Sequence, residues 1–295
     1  MGKRELLILL AFVIVGGLVY QATAPAADPA TDGRSWTDVF RNVRGEMFGS
    51  RSRLAVTRDV KASVGPEIEV LDLGDLAGQV TVVGEDREDI EAQVRVSLLG
   101  ENEGEINAAA AQLVVKGEQR DEVLALTLSH PDEWRLSSGR VAADVTMKAP
   151  RRLLVKLAGR GTVNIQQTAG ASLEIARGTV NLRDLTGPVT GTFRDGSLDV
   201  AGATKVEVET RRVSVTLARI EGAIDVEAVD GQVRGAQLPG PIEFDVRRVM
   251  VDLDEIAGKV SITGGDGRAD LRGLSGPLTV DVERMAFSGV MRKAA

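Results

Sequence analysis

Three arginines recur at nearly constant spacing in the middle of the chain, and their side chains are the ones best placed for recognition chemistry. Arg160, Arg177 and Arg194 follow one another at intervals of roughly 17 residues. If that interval is one structural repeat, three guanidinium groups line up along one edge, where like charges on adjacent repeats repel each other. Either carboxylates relieve this repulsion, or the edge binds an anion whose oxygens fit the forked guanidinium donors. The sequence leaves both interpretations open, and the carboxylates that could relieve the repulsion are Glu174, Asp184 and Asp195.

The same column of charges continues towards the C-terminus with alternating sign. Its further members are Arg212, Asp230, Arg248, Asp266 and Arg284. Residues one repeat apart would lie about 4.8 Å from each other in stacked strands. We therefore predict ion pairs between neighbouring repeats, which act chiefly to set the register because exposed pairs add little stability.

The sequence offers no set of residues for familiar catalytic chemistry. It contains no cysteine and one histidine, His130, which precedes Pro131 in a predicted loop. A zinc site or a Ser-His-Asp triad needs partners that the sequence lacks, and neither a phosphate-binding loop motif nor a nucleophile-elbow motif occurs. We expect no catalytic residue and no cofactor.

Two local patterns come closer to a metal or an enzyme site. Gly264-Gly265-Asp266-Gly267 partly matches a calcium-binding repeat, but Ala269 stands where that repeat needs an aspartate. Asp252 and Asp254 would share one strand face about 6.5 Å apart, a separation that suits a carboxylate pair in a polysaccharide-cleaving β-helix. A solvated strand face explains them equally well. Only 3% of the residues are aromatic, which leaves few platforms for sugars. An enzyme is the least favoured interpretation.

The elements that would position these charges are short strands repeating about every 18 residues. Two apolar columns run half a repeat out of phase. The first consists of Val163, Val180, Leu198, Val215, Val233, Val251, Ala269 and Phe287, and the second of Leu173, Val189, Val206, Ile224, Ile242, Val260 and Leu278. Glycines fall between the strands, and a coil of this length leaves no room for a helix. We predict an all-β fold, a parallel β-solenoid, over an antiparallel sandwich, because a sandwich gives no reason for such registry.

The N-terminus predicts where the chain is placed. Lys3 and Arg4 precede an apolar run from Leu6 to Tyr20, which a weaker apolar stretch continues to Ala27. This pattern is typical of a signal anchor helix or a cleaved signal peptide, and either puts the rest outside the cytoplasm.

The predicted organisation is a signal segment (1–27), a linker with a short amphipathic helix (28–53), a mixed β entry region (54–157) and the solenoid (158–295). Arginines around the linker helix suit anionic headgroups, although it could equally cap the solenoid. Within the entry region, residues 78–82 are similar to the later repeats and predict an early coil, and the alanines of 105–111 predict a short helix.

The order of parts resembles the putative-adhesin domain family. The resemblance rests on Leu76-Ala77-Gly78-Gln79-Val80-Thr81-Val82, a variable insert, Val145-Thr146-Met147-Lys148-Ala149-Pro150 and Gly161-Thr162-Val163-Asn164-Ile165 leading into repeats. It covers roughly residues 54–290 and implies a bacterial β-solenoid displayed at the cell envelope. The resemblance supplies no catalytic residues.

Taken together, the patterns favour a non-enzymatic, adhesin-like binding or scaffold module of the cell envelope. A net charge of −7 argues against nucleic acid as a partner. The expected partners are an anionic envelope polymer, a lipid headgroup or a protein, and the expected membrane contact is the N-terminal segment. The alternative is a component of envelope assembly or stress response that associates with itself through a solenoid end.

Overall fold

The computed structural model describes residues 52–100, 103–112, 114–129 and 141–291, which form strands and one short helix. In chain order the elements are β1 (Ser52–Ser63), β2 (Val70–Glu85), β3 (Asp89–Gly100), α1 (Glu103–Gln112), β4 (Val114–Arg120), β5 (Val123–Ser129), β6 (Val141–Pro150), β7 (Leu154–Gln166), β8 (Gly170–Arg183), β9 (Pro188–Phe193), β10 (Gly196–Ala203), β11 (Lys205–Arg211), β12 (Val213–Ile220), β13 (Ile224–Leu238), β14 (Ile242–Ile256), β15 (Val260–Leu274) and β16 (Leu278–Met291).

Three predictions concern residues outside these ranges. They are the signal segment (1–27), the linker helix within 28–53 and the loop that contains His130. Among the described residues, no helix has the length and apolar character needed to cross a membrane.

The strands stack in parallel as the predicted β-solenoid. Within the described residues, nine successive rungs follow the path β2, β7, β8, β10, β12, β13, β14, β15 and β16, with β9 and β11 completing the fourth and fifth rungs. Residues one repeat apart are paired, for example Val233 with Val251 and Ile224 with Ile242. The parallel pairing excludes an antiparallel sandwich and confirms the registry that the two apolar columns predict, except for one member. Val189 pairs with Ala171, and Leu173 lies two residues further along β8, opposite Gly191.

Each rung consists of two arms that meet at a corner. In β13 the first arm runs over 224–229, Asp230 forms the corner, and the second arm runs over 231–238. Asp230 has a φ of 56°, in the left-handed region, and Gln237 near the end of the second arm has a φ of 57°. These two kinks turn the chain within one rung, which is how an extended segment of 15 residues can wrap around a core.

The core lies between the two arms, where alternate side chains of every rung are stacked. Val226, Phe244 and Ile262 form one inner column and are each fully buried. Their neighbours along the strands point outward and are mostly exposed, so the burial pattern alternates with period two. The apolar columns identified in the sequence are therefore the inside of the solenoid, apart from their last members in β16.

The predicted entry region both starts the solenoid and covers its N-terminal end. β2 is already the first rung, since Val80 pairs in parallel with Val163 of β7, as the similarity of 78–82 to the later repeats predicts. The segment between β2 and β7 supplies β5, which pairs with the first arm of β2, and β6, which pairs with its second arm. β3, β1 and β4 extend this cover with antiparallel pairs. α1 confirms the helix predicted from the alanine run.

Candidate functional site

The corner column is a row of residues, one per rung, at the junction of the two arms. The strand register aligns Arg160 with Arg177, Gly178 with Gly196, and Gly196 with Val213. Counting back one residue from these partners puts Asp195 beside Arg177. In rung order from the second rung, the column is Arg160, Arg177, Asp195, Arg212, Asp230, Arg248, Asp266 and Arg284.

This register corrects the predicted row of three arginines in one respect. Arg160 and Arg177 are adjacent, as the spacing predicts, but Arg194 lies one position before the column, next to Ala176. The reason is that β8 carries one residue more than β7 between Ile175 and Arg177. The carboxylate of Asp195 therefore occupies the place that was predicted for a third arginine.

The C-terminal part of the corner column is held by ion pairs between neighbouring rungs. Arg212 Nε lies 2.6 Å from a carboxylate oxygen of Asp195, and Arg212 Nη2 lies 3.1 Å from the other oxygen. Arg248 clasps Asp230 in the same two-pronged way, and Arg284 does so with Asp266. The predicted pairing of neighbouring coils is confirmed, and each aspartate is bound by the arginine of the rung that follows it.

These ion pairs shift the titration of the groups that form them. Hydrogen bonds from Arg212 hold the pKa of Asp195 below its usual value, and the nearby charges of Arg177 and Arg211 act in the same direction. Arg248 likewise lowers the pKa of Asp230. The pKa of Arg248 rises in turn because its guanidinium donates to the carboxylate. At neutral pH these groups are therefore all charged.

The N-terminal part of the column, with the residues beside it, carries arginines that lack such partners. Within the described parts of the chain, the guanidinium groups of Arg160, Arg177, Arg194 and Arg211 have no carboxylate oxygen within 4.0 Å. All four side chains are exposed. We call these four residues the arginine edge.

Arg211 belongs to the arginine edge although the sequence analysis did not select it. Thr210 pairs with Phe193, so Arg211 lies on the rung next to Arg194. The positive charge of Arg211 contributes to the lowered pKa values of the Asp195 and Asp230 carboxyl groups. The two adjacent arginines at 211 and 212 thus play different parts, since Arg212 forms an ion pair and Arg211 faces solvent.

A surface groove of about 830 Å³ begins at the arginine edge and extends over the outer face of the first arms. Arg160 and Arg194 stand at its border, and Asp75 and Glu174 also line it. Small residues, including Ala158, Gly159 and Ala176, form much of the lining. The arginines of the second and fourth rungs therefore border a recess instead of a flat sheet, and a ligand there would meet both cationic and anionic groups.

The other residues singled out in the sequence lie away from this groove. Asp252 and Asp254 occupy alternate outward positions on β14, beside Asp270 and Arg272 of the next rung. Asp266, the acid of the partial calcium motif, binds Arg284. Among the described residues, no group of three or more acidic or histidine side chains is arranged to hold a metal ion.

Comparison with known proteins places the chain near solved structures of low sequence identity. No family model matches the chain. No curated protein matches it either. A putative adhesin from Bacteroides fragilis is 16% identical, with 81% of this chain and 98% of that chain covered and a TM-score of 0.47. A putative adhesin from Parabacteroides distasonis is 12% identical over 81% and 97% of the two chains, with a TM-score of 0.32. A putative lipid binding protein from the same species is 14% identical over 82% and 97%, with a TM-score of 0.25. The chain is thus similar to several bacterial structures that carry the name putative adhesin.

Proposed function

We propose that this protein is a non-enzymatic, adhesin-like binding module of the cell envelope, and that the arginine edge is where it holds an anionic ligand. The ligand class is a polymer or surface that presents phosphate or carboxylate groups at short intervals. The observation that carries this proposal is the exposure of Arg160, Arg177, Arg194 and Arg211 on a protein of net charge −7, with no carboxylate oxygen of the described residues within 4.0 Å of their guanidinium groups.

The chemistry of the edge suits a repeating anion. Guanidinium groups donate two parallel hydrogen bonds to a phosphate or a carboxylate, which makes arginine more selective than lysine for such groups. Adjacent rungs place these donors at intervals of about 4.8 Å, so an extended polymer can contact several at once. Like charges that repel each other in the free protein are relieved when an anion binds between them.

The internal contrast within the corner column also supports a binding role. Three aspartates of the column neutralise Arg212, Arg248 and Arg284 through ion pairs. The later arginines of the column itself are thus paired between rungs, whereas the four arginines of the arginine edge face solvent, and two of them, Arg160 and Arg194, line the groove. This distribution is what we expect of a surface kept open for a ligand.

The envelope location and the absence of catalysis are parts of the proposal that rest on the sequence. Lys3, Arg4 and the apolar run that follows are typical of a signal anchor or signal peptide. Neither a nucleophile with its base nor a convergent acid and base cluster is formed by the motifs of this chain. We therefore assign the groove to binding.

A co-sedimentation experiment tests the proposal. Residues 51–295 form a compact unit that contains the whole described core, so this fragment is the suitable reagent. It should pellet with vesicles that contain phosphatidylglycerol or should bind a soluble polyphosphate, and less so at physiological salt than at low salt. Vesicles of phosphatidylcholine alone provide the neutral surface. The comparison of vesicles with free polymer distinguishes a lipid headgroup from a polymer as the source of the phosphate.

Two variants of equal charge change make this test specific. Replacement of Arg160, Arg177 and Arg194 together by glutamate should abolish binding. The control replaces three exposed arginines of the second arms by glutamate, namely Arg234, Arg268 and Arg272. It should keep most of the binding. Equal loss in both variants, with circular dichroism showing both folded, would show that only net charge matters and would overturn the assignment of the edge.

A further inference from the structure

The two ends of the solenoid differ in whether further strands pair with the terminal rung. At the N-terminal end, both arms of β2 are covered, the first by β5 and the second by β6. At the C-terminal end, among the described residues, β16 is hydrogen-bonded to β15 on one side and to no strand on the other. An uncovered last rung presents a row of free backbone donors and acceptors.

The side chains of β16 show the same incompleteness. Ile224, Ile242 and Val260 are buried in one inner column, and Val226, Phe244 and Ile262 in another. The next members of these columns are Leu278 and Val280, and Val280 is 38% exposed. Phe287, which continues the column of Val233, Val251 and Ala269, is 43% exposed. The pattern of the core thus continues into β16, but nothing among the described residues covers it.

The composition of β16 does not protect this edge. Natural edge strands are commonly blunted by proline, by inward-pointing charge, by a bulge or by short length. β16 spans 14 residues without a proline. Its inward positions are occupied by Leu278, Val280, Val282, Met285, Phe287 and Gly289, as the alignment with β15 shows. A long edge strand with apolar inward positions can pair with a strand of another chain.

We propose that two copies of this chain join end to end through β16, as an antiparallel pair about a two-fold axis at the corner of the rung. Identical edges that meet in a closed dimer are related by a two-fold axis. An axis that keeps the inner faces of both copies on the same side is perpendicular to the strands, and it makes the paired strands antiparallel. The axis has to exchange the first arm with the second. A register centred on Arg284 would lay corner on corner, but it would set the two Arg284 side chains opposite each other and the inward Val282 opposite the outward Ala286. A register centred between Glu283 and Arg284 keeps the two corners within one residue of each other and sets inward residues opposite inward residues.

The residues that face each other in this register are complementary. Val282 lies opposite Met285, Val280 opposite Phe287 and Leu278 opposite Gly289, so every inward residue meets an inward residue. At the centre, Glu283 of each copy lies opposite Arg284 of the other, which pairs opposite charges at both symmetric positions. No like charges oppose each other along the strand. The dimer would thereby bury the exposed Val280 and Phe287 side chains, and it requires no contact at the arginine edge.

Cysteine cross-linking tests the register directly, because the natural chain has no cysteine. The outward residues Thr279 and Ser288 lie opposite each other in the proposed pair, where Cβ atoms are about 4.5–5.5 Å apart and an oxidant can join them after a small adjustment. The full chain with Thr279→Cys and Ser288→Cys, purified in a mild non-ionic detergent, should give a disulfide-linked dimer on a non-reducing gel. The matched control carries Thr279→Cys and Ala286→Cys. It places the thiols about 7–8 Å apart on the diagonal and should yield far less dimer.

A second pair of substitutions removes the apolar contact without touching the core. Val280→Lys with Phe287→Lys, added to the Thr279→Cys and Ser288→Cys chain, should abolish the cross-linked dimer while the thermal transition persists, because both side chains are already partly exposed. Cross-linking that is equal in the matched control and the test pair, or that survives the lysines, would overturn the proposal. A chain that stays monomeric under oxidation would do so as well.

Discussion

The corner column has two parts that differ in which residue adopts the unusual backbone conformation at the corner. In the N-terminal part, Arg177 and Asp195 precede glycines, Gly178 and Gly196, whose φ values of 156° and 135° take up the unusual backbone conformation. In the C-terminal part the charged corner residue itself is left-handed, with φ of 56° at both Asp230 and Arg248. Charged side chains at corners of the second kind form ion pairs between rungs. At corners of the first kind Asp195 is also paired, with Arg212, whereas Arg177 faces solvent.

This difference shows that ion pairs between rungs occur in only part of the corner column, although neighbouring rungs pair in parallel along the whole solenoid. Ion pairs at Asp195, Asp230 and Asp266 recur at every second rung, and each links its rung to the one that follows. In the earlier rungs the backbones of Gly161 and Gly178 stack closely and β6 pairs with β2, and the arginines of the column take no part in ion pairs among the described residues. In our proposal, structural and binding roles are therefore separate along a single edge.

The largest expected effect comes from breaking the stack that supports both parts. Val233 is fully buried between Val215 and Val251, so Val233→Asp puts an unpaired charge in the core and should cost several kcal/mol of the free energy of unfolding. Denaturant unfolding of the 51–295 fragment measures this loss. Arg234→Asp, one residue on and outward, should change stability little. Similar stability of wild type and Val233→Asp would refute the register.

A second substitution tests whether the glycine corners are obligatory. A Cβ at Gly178 would collide with the carbonyl oxygen of Gly161, and the φ of Gly178 is one that side chains rarely adopt. We expect Gly178→Ala to lower the free energy of unfolding by roughly 3 kcal/mol, because neighbouring backbones must separate. The comparison is Val249→Ala at the equivalent position of a left-handed corner, where a side chain is native. Because Val249 is buried, its truncation is itself destabilising. The decisive result is therefore Gly178→Ala alone, and wild-type stability of that variant would mean that a side chain is tolerated at both kinds of corner.

A charge-reversal cycle tests the paired part. Asp230→Arg places an arginine between Arg212 and Arg248 in the corner column, so that three consecutive rungs each carry a positive charge there. Because these charges repel one another, the melting temperature should fall modestly. Adding Arg248→Asp restores an opposite pair and should recover part of the loss. The effect stays small because the Arg248 side chain is exposed to solvent and that of Asp230 is only half-buried. Melting temperatures of the four proteins give the coupling, and strictly additive changes would exclude a stabilising pair.

The smallest expected effect is the pH dependence of these pairs. Arginine hydrogen bonds lower the pKa values of Asp195 and Asp230 in the folded protein, so the stability they contribute is present above the unfolded pKa of about 3.9 and is lost as pH falls through the lower folded values. Asp195→Asn with Asp230→Asn should therefore melt below wild type at pH 7, and the gap should close at more acidic pH. A gap that persists unchanged in acid would contradict ionisation as its cause.

The sequence predicted the fold in detail because each rung repeats the same apolar alternation. Val215, Val233 and Val251 stack as the spacing indicates, and the alternating charges from Arg212 onwards form the expected pairs. The first rung in β2 was also recognisable from its similarity to later repeats.

The candidate site was predicted less well, since a one-residue change in coil length is invisible to a search at fixed spacing. Arg194 fits the interval of Arg160 and Arg177 but lies beside the column, while Asp195 lies in it. The signal was nevertheless present, because Arg160, Arg177 and Asp195 each directly precede a glycine. Counting from the glycines would have found Asp195 and left Arg194 and Arg211 as neighbours. Nothing in the spacing could have revealed the groove, which arises from small side chains of several rungs.

The most direct measurement of the central claim compares unpaired with paired arginines at equal charge. Arg160, Arg177 and Arg194 are replaced by glutamine in one 51–295 fragment, and Arg212, Arg248 and Arg284 in another. Binding of each to phosphatidylglycerol vesicles and to polyphosphate is then titrated across a range of salt concentrations. We predict that the first variant loses most of its affinity and of its salt dependence, whereas the second binds nearly as well as wild type wherever it remains folded. Equal affinity of the first variant and wild type would contradict the account.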